Sequence, residues 1–249
     1  MIHSKKMLPL VLLAISSGLA GLAQVREGRV VYERKVNMHR RITDESVRKM
    51  IPEFNISKAE LFFAGEESLF RGIKEEEDIR DQAGQEEGVH VNFKFGGDGA
   101  ENYRNYATSR GAEQRELGPK KYIIEDSLFD CHWKLESDTL TVRGYLCHKA
   151  MGKDSRGNPV VAWYAENIHS PAGPESFGGL PGLILLVNGN DGEFMLTAVE
   201  IKTSGIDMRV VKAPTEGKRV SRTAFKKMME EEMGPDAASG RPVIRIIRQ

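Results

Sequence analysis

The chain has 249 residues, of which 40% are hydrophobic and 29% charged, and its 36 lysines and arginines balance 36 aspartates and glutamates to a net charge of zero. That balance argues against the basic excess that draws a protein to nucleic acid. The hydrophobic content is sufficient for a sizeable core.

Lys5 and Lys6 precede an apolar run over residues 7–15, and Gly21-Leu22-Ala23 offers a small-residue cleavage site before Gln24. This is the pattern of a secretory signal peptide over residues 1–23, with an apolar core too short for a span of about 20 residues. No later stretch is apolar for long enough to cross a bilayer as a helix. The expectation is one exported domain over residues 24–249, resident in the periplasm or envelope.

Strand signals dominate from Arg29 onward. Residues 29–36 (RVVYERKV), 59–63, 68–73 and 89–95 are short β-rich runs parted by turn chemistry. In VHVNFKF, Val89, Val91, Phe93 and Phe95 alternate with polar neighbours, which predicts one buried face. Between these runs, Thr43 is placed to cap a short helix that Pro52 stops, and the acidic run over residues 74–87 reads as a solvated loop. Further strands are predicted over residues 121–125, 129–136, 140–150, 160–166, 183–188 and 194–201. Strands so closely spaced, with no helices between them, predict an antiparallel meander. Near the C-terminus Ser221 caps a helix with Phe225, Met228, Met229 and Met233 at helical spacing, ended by Gly234-Pro235. The tail over residues 243–248 (VIRIIR) suits a last edge strand. The predicted architecture is mainly β (α+β): a twisted antiparallel meander or half-barrel with the C-terminal helix on its concave face.

Export makes Cys131 and Cys147, the only cysteines, candidates for a disulfide. A hairpin turning at Ser137-Asp138 pairs Leu135 with Leu140, Trp133 with Val142 and Phe129 with Leu146. That register sets Cys147 on the opposite face from Cys131, so a bond requires a shift. Cys131-His132 and Cys147-His148 invite a zinc reading, but neighbours on a strand point apart. The remaining metal alternative gathers Asp130, His132 and His148 on the outer face. No catalytic motif is present in the mature chain, and Ser176, His169 and Asp191 form only a chance trio. No catalytic residue and no cofactor are therefore assigned. Candidate binding residues are Trp163 and Tyr164, of which a strand turns one outward, and Met228 and Met229, which suit an adaptable apolar surface.

In FGGLPGLILL, Leu180-Pro181-Gly182-Leu183 fits a type II turn with Gly182 at positive φ, while Gly178 and Gly179 allow close backbone approach. The strand entered from this turn, apolar at odd and even positions over residues 183–187, predicts cover on both faces.

Gly179-Leu180-Pro181-Gly182-Leu183-Ile184 resembles the six residues that name the GLPGLI family of exported bacterial proteins, also called Porph_ging. Gly144-Tyr145-Leu146-Cys147-His148-Lys149-Ala150, Ala162-Trp163-Tyr164 and Gly173-Pro174 are similar to further stretches of that family. The resemblance implies residence in the envelope of a diderm bacterium and no established activity. The function expected is a non-enzymatic envelope protein that binds an apolar ligand or an outer-membrane partner. The alternative is an exported hydrolase or metal-handling protein using the outer-face histidines.

Overall fold

The computed structural model describes residues 24–40, 42, 45–73, 89–94, 100–234 and 243–248. Residues 1–23, read above as a signal peptide, Thr43 and the acidic run over residues 74–87 lie outside them. The strands are β1 (Glu27–Asn37), β2 (Phe54–Ala64), β3 (Glu67–Gly72), β4 (Val89–Lys94), β5 (Glu101–Asn105), β6 (Arg110–Leu117), β7 (Lys120–Ser127), β8 (Lys134–Val142), β9 (Tyr145–Lys153), β10 (Pro159–Ala165), β11 (Leu183–Gly189), β12 (Phe194–Lys202), β13 (Lys218–Val220) and β14 (Val243–Arg248). Two helices, α1 (Glu45–Met50) and α2 (Arg222–Met233), and a single 3-10 turn at Met208–Val210 complete the described elements. None of the described helices is long and apolar enough to cross a membrane.

Twelve strands form one sheet in the order β13-β7-β6-β5-β3-β2-β1-β12-β11-β10-β9-β8, and β14 pairs with β4 in a separate ribbon. Among the described strands all pairings are antiparallel except the short parallel one of β13 with β7, and Val25 adds an isolated parallel bridge to Ile168, so the sheet is mixed. The expected single meander is instead two meanders, joined where β1 pairs with β12. That junction places the first and last long strands at the centre.

The sheet cannot be flat. Ten strand spacings separate β7 from β8, about 48 Å in a flat sheet. Only residues 128–133 connect them, and a chain that short reaches about 25 Å when fully extended. The sheet therefore curls until its two flanks approach, yet β8 and β13 remain unpaired ends of an open sheet. Inside the curl a single cluster joins Tyr32, Leu61, Phe63 and Phe70 to Ala162, Tyr164, Leu196 and Ala198, and to Ile168, Phe177 and Leu180 from the loop before β11.

Two local expectations are corrected. Residues 129–133 are not a strand, and β8 runs through Ser137-Asp138 with a register shift between Leu135 and Thr139. The hairpin turns instead at Arg143 (φ 50°) and Gly144 (φ 84°), because a two-residue turn that matches strand twist needs positive φ at both positions. Strands β5 and β6 (ENYRN, RGAEQREL) are too polar to carry a strand signal; neighbours on both sides supply their hydrogen bonds.

Helix α2 begins as predicted: the Ser221 side chain accepts from the Ala224 amide at 3.1 Å. Phe225 packs against Leu117, Tyr122 and Ile124 in a satellite cluster separate from the main core. Arg222 bonds Glu113 at 3.2 Å and Asp126 at 3.0 Å. Register runs Val30, Leu61, Phe70, Asn102, Glu113 and Ile124 in one row across six strands. The helix thus packs on β6 and β7, at one flank of the sheet.

Candidate functional site

The segment 171–184 is tied down by side chains from β1, from β12 and from the connector over residues 128–133. Arg34 on β1 pairs with Glu175 at 2.7 Å, and Trp133 donates its indole N–H to the Gly178 carbonyl at 2.9 Å. Phe177 stacks on Phe194 with ring centroids 6.0 Å apart. Gly179, not Gly182, is the left-handed residue, at φ 83°. Gly182 serves the other purpose: a Cβ there would stand 2.3 Å from the Ala165 carbonyl oxygen and 2.8 Å from the Glu166 Cα. The expected assignment of positive φ to Gly182 is therefore overturned, because the close approach of the β10 end leaves no room for a side chain. Leu183, Ile184, Leu185 and Val187 are fully buried, while Leu186 is half-buried. The β11–β12 ladder pairs only from Leu186 onward, and the Tyr32 hydroxyl donates to the Ile184 carbonyl at 2.5 Å. Burial holds the Tyr32 phenol well above its ordinary pKa.

Cys131 and Cys147 are both buried and free. The Cys131 carbonyl accepts from the Lys153 amide at 3.1 Å, at the far end of β9 from Cys147. Six residues of strand put about 20 Å between those positions, far beyond disulfide reach. Burial pushes the Cys131 thiol up to about 12 and the Cys147 thiol up to about 11. The metal alternative is corrected too. Asp130 and His132 pair at 3.1 Å on the exposed connector, but His148 stands on β9 against the Tyr164 ring. Among the described residues no three His, Cys, Asp or Glu side chains gather as a metal site.

The four candidate binding residues fall in two places. Tyr164 is buried, and Trp163 is half-buried on the opposite face. There register sets Lys149, Trp163, Leu186, Thr197, Glu33 and Lys58 in one row across six strands. The neighbouring row is Met151, Val161, Asn188, Met195, Lys35 and Ile56. Met151 and Ile56 are 43% and 44% exposed. That one ring of the Trp163-Tyr164 pair turns outward was legible; which of the two, and the patch around it, were not, because the patch members are far apart in sequence.

Met228 lies in the second place, with Leu117, Tyr122, Glu231 and Glu232 around an open cavity of about 330 Å³. Met229 is half-buried beside it, in the same satellite cluster. At the other end of the helix, burial alone would raise Glu113, but Arg115 and Arg222 together hold it below the ordinary carboxylate range.

No curated protein matches the sequence. Among solved structures, PNGF-II in two crystal forms aligns with TM-scores of 0.56 at 16% and 14% identity, over 83% and 84% of this chain. The chain spans about a third of the PNGF-II length, 33% and 34%, and at this identity the likeness concerns the fold alone. An uncharacterized conserved protein from Thermus thermophilus aligns at a TM-score of 0.42 and 8% identity, covering 79% of this chain and 91% of that one. Residues 153–186, from the end of β9 into β11, match the family model Porph_ging, described as a protein of unknown function, so the chain carries the signature of the family its sequence resembles.

Proposed function

We propose that the protein is an exported, non-enzymatic binding module of the cell envelope that engages a partner protein through the sheet face centred on Trp163. The observation that supports this reading is the pair of registered rows across six strands, where a tryptophan, two methionines, a leucine, a valine and an isoleucine share one sheet face, with Trp163 and Leu186 half-buried at the margin of the core cluster and Met151 and Ile56 exposed. A rigid sheet presents these side chains at little further entropic cost, and tryptophan is the residue type that most often dominates interface energies. Inside the curl, fully buried side chains such as Tyr32, Leu61 and Phe63 fill the space that a lipid carrier would leave open. In this reading α2, on the concave side, closes one flank of the core.

Trp163→Ala is expected to weaken the partner by about 2 kcal/mol or more, roughly thirty-fold in affinity. Co-purification from envelope extracts at fixed stoichiometry, followed by titration of the isolated partner, measures this. A partner held equally by Trp163→Ala and by Met195→Ala overturns the reading. The cavity beside Met228 supports a second reading, an apolar ligand at α2. Extractable ligand that Met228→Ala abolishes, with Trp163→Ala unaffected, would favour it.

A further inference from the structure

Beneath the segment 171–184, two buried hydroxyls lack a partner among the described residues and one guanidinium makes a single long hydrogen bond. Ser68 on β3 stands directly opposite Arg104 on β5, so the two share the core-bearing face as near neighbours. Tyr106, two residues beyond Arg104, continues the same row: its amide bonds the Glu66 carbonyl at 2.8 Å. Both long side chains end at the same two residues of the loop. Arg104 reaches the Phe177 carbonyl at 3.4 Å, and the Tyr106 hydroxyl lies 2.5 Å from where a Cβ on Gly178 would be.

Ser68 is 1% exposed, and among the described residues neither its hydroxyl nor that of Tyr106 finds a hydrogen-bond partner. A buried polar group left unmade is destabilising, so two such groups on neighbouring positions of one sheet face ask what satisfies them. The half-buried Arg104 guanidinium compounds the question. Its single hydrogen bond among the described residues is the long one to Phe177, and no described carboxylate lies within ion-pair reach. Its titratable neighbour Cys131 is a neutral thiol, pushed up to about 12 by burial. A guanidinium with five donors and two idle hydroxyls makes a donor-rich niche with positive charge, the inverse of a small oxyanion. Gly178 is only half-buried and Gly179 is exposed, so the loop that covers the two buried hydroxyls itself borders solvent.

We propose that Arg104, Tyr106 and Ser68, under the Phe177-Gly178 carbonyls, form a binding site for a small oxyanion. The site is on the opposite face from Trp163 and does not depend on the partner reading. Arg104 supplies the charge and the forked donors, and the two hydroxyls supply neutral donors that discriminate an oxyanion from a halide.

The test titrates inorganic phosphate, sulfate and acetate into the full mature chain at constant ionic strength set with sodium chloride. Melting temperature and ³¹P line width of phosphate are the readouts. A rise in melting temperature and line broadening beyond the chloride control are expected. Arg104→Gln should abolish both, and Tyr106→Phe, which keeps the ring against Gly178, should weaken binding about tenfold. The relative effects of acetate and phosphate distinguish a planar from a tetrahedral ligand. No oxyanion-specific response in the wild type, which leaves an ordered water between the hydroxyls, overturns the proposal. So does a response that folded Tyr106→Phe and Arg104→Gln both retain in full.

Discussion

Gly182→Ala is the sharpest probe of how the signature segment is built. A Cβ at that position would meet the Ala165 oxygen at 2.3 Å, the Ala165 carbonyl carbon at 2.6 Å and the Glu166 Cα at 2.8 Å, all of them backbone atoms. No flexible side chain is available to yield, so β10 and the start of β11 must separate, where Leu183, Ile184 and Leu185 are fully buried. Overpacking of this kind costs about 3 kcal/mol, the upper part of its usual range. At about 2–4 °C per kcal/mol for a domain of this size, melting should fall by about 6–12 °C. Gly179→Ala meets no atom within 4 Å but must hold φ at 83°, a penalty of about 1–2 kcal/mol. Asparagine separates the two causes, since it tolerates the left-handed region but still carries a Cβ. Gly179→Asn should melt close to wild type, and Gly182→Asn should be at least as damaging as Gly182→Ala. Thermal unfolding of the four variants by circular dichroism reads the order. If Gly182→Ala melts within about 2 °C of wild type, the steric reasoning is refuted.

Tyr32→Phe removes the only described side-chain donor to the Ile184 carbonyl and should destabilise by about 1–3 kcal/mol, measured by urea unfolding; a neutral result would mean the carbonyl is satisfied otherwise. Both thiols should resist iodoacetamide at pH 8.5 in the folded protein and react fully in guanidinium. With folded values of about 12 and about 11 against an unfolded value of about 8.5, the unfolded chain releases protons first, so stability should fall as pH rises beyond about 8.5. Glu113 has the opposite sign: its lowered folded pKa contributes stability above the ordinary carboxylate range that is lost as pH falls through the folded value. Arg222→Gln should therefore move the acid-unfolding midpoint to higher pH; an unchanged midpoint would assign that role to Arg115 alone. Ser221→Ala should cost about 1 kcal/mol through loss of the cap to Ala224, read as a lower urea midpoint with unchanged slope.

Much of the fold was written locally. Hydrophobic alternation and β-branched runs placed β1, β10, β11 and β12 within a few residues, and Ser221 with the Phe225-Met228-Met229 spacing placed α2. The misses share one cause. Strands β5 and β6 carry polar residues because their hydrogen bonds come from neighbours, and Ser137-Asp138 looked like a turn because local polarity says nothing of the φ values a hairpin demands. The cysteine parity argument failed at its premise, since Cys131 lies in a connector rather than on a strand.

The sequence by itself determined that the chain is mostly β, that its helix near the C-terminus is capped by Ser221, and that Leu183, Ile184, Leu185 and Val187 are interior, whereas Leu186, expected to be covered with them, is half-buried. These are short-range matters of side-chain period, cap chemistry and apolar density. Tertiary structure alone decided that Gly179 bends while Gly182 makes room, that the cysteines stand apart, and that Trp163 shares a face with Ile56 and Met195 while Arg104 shares one with Ser68. Sheet register couples residues a hundred positions apart, and no local pattern encodes which strand will lie beside which.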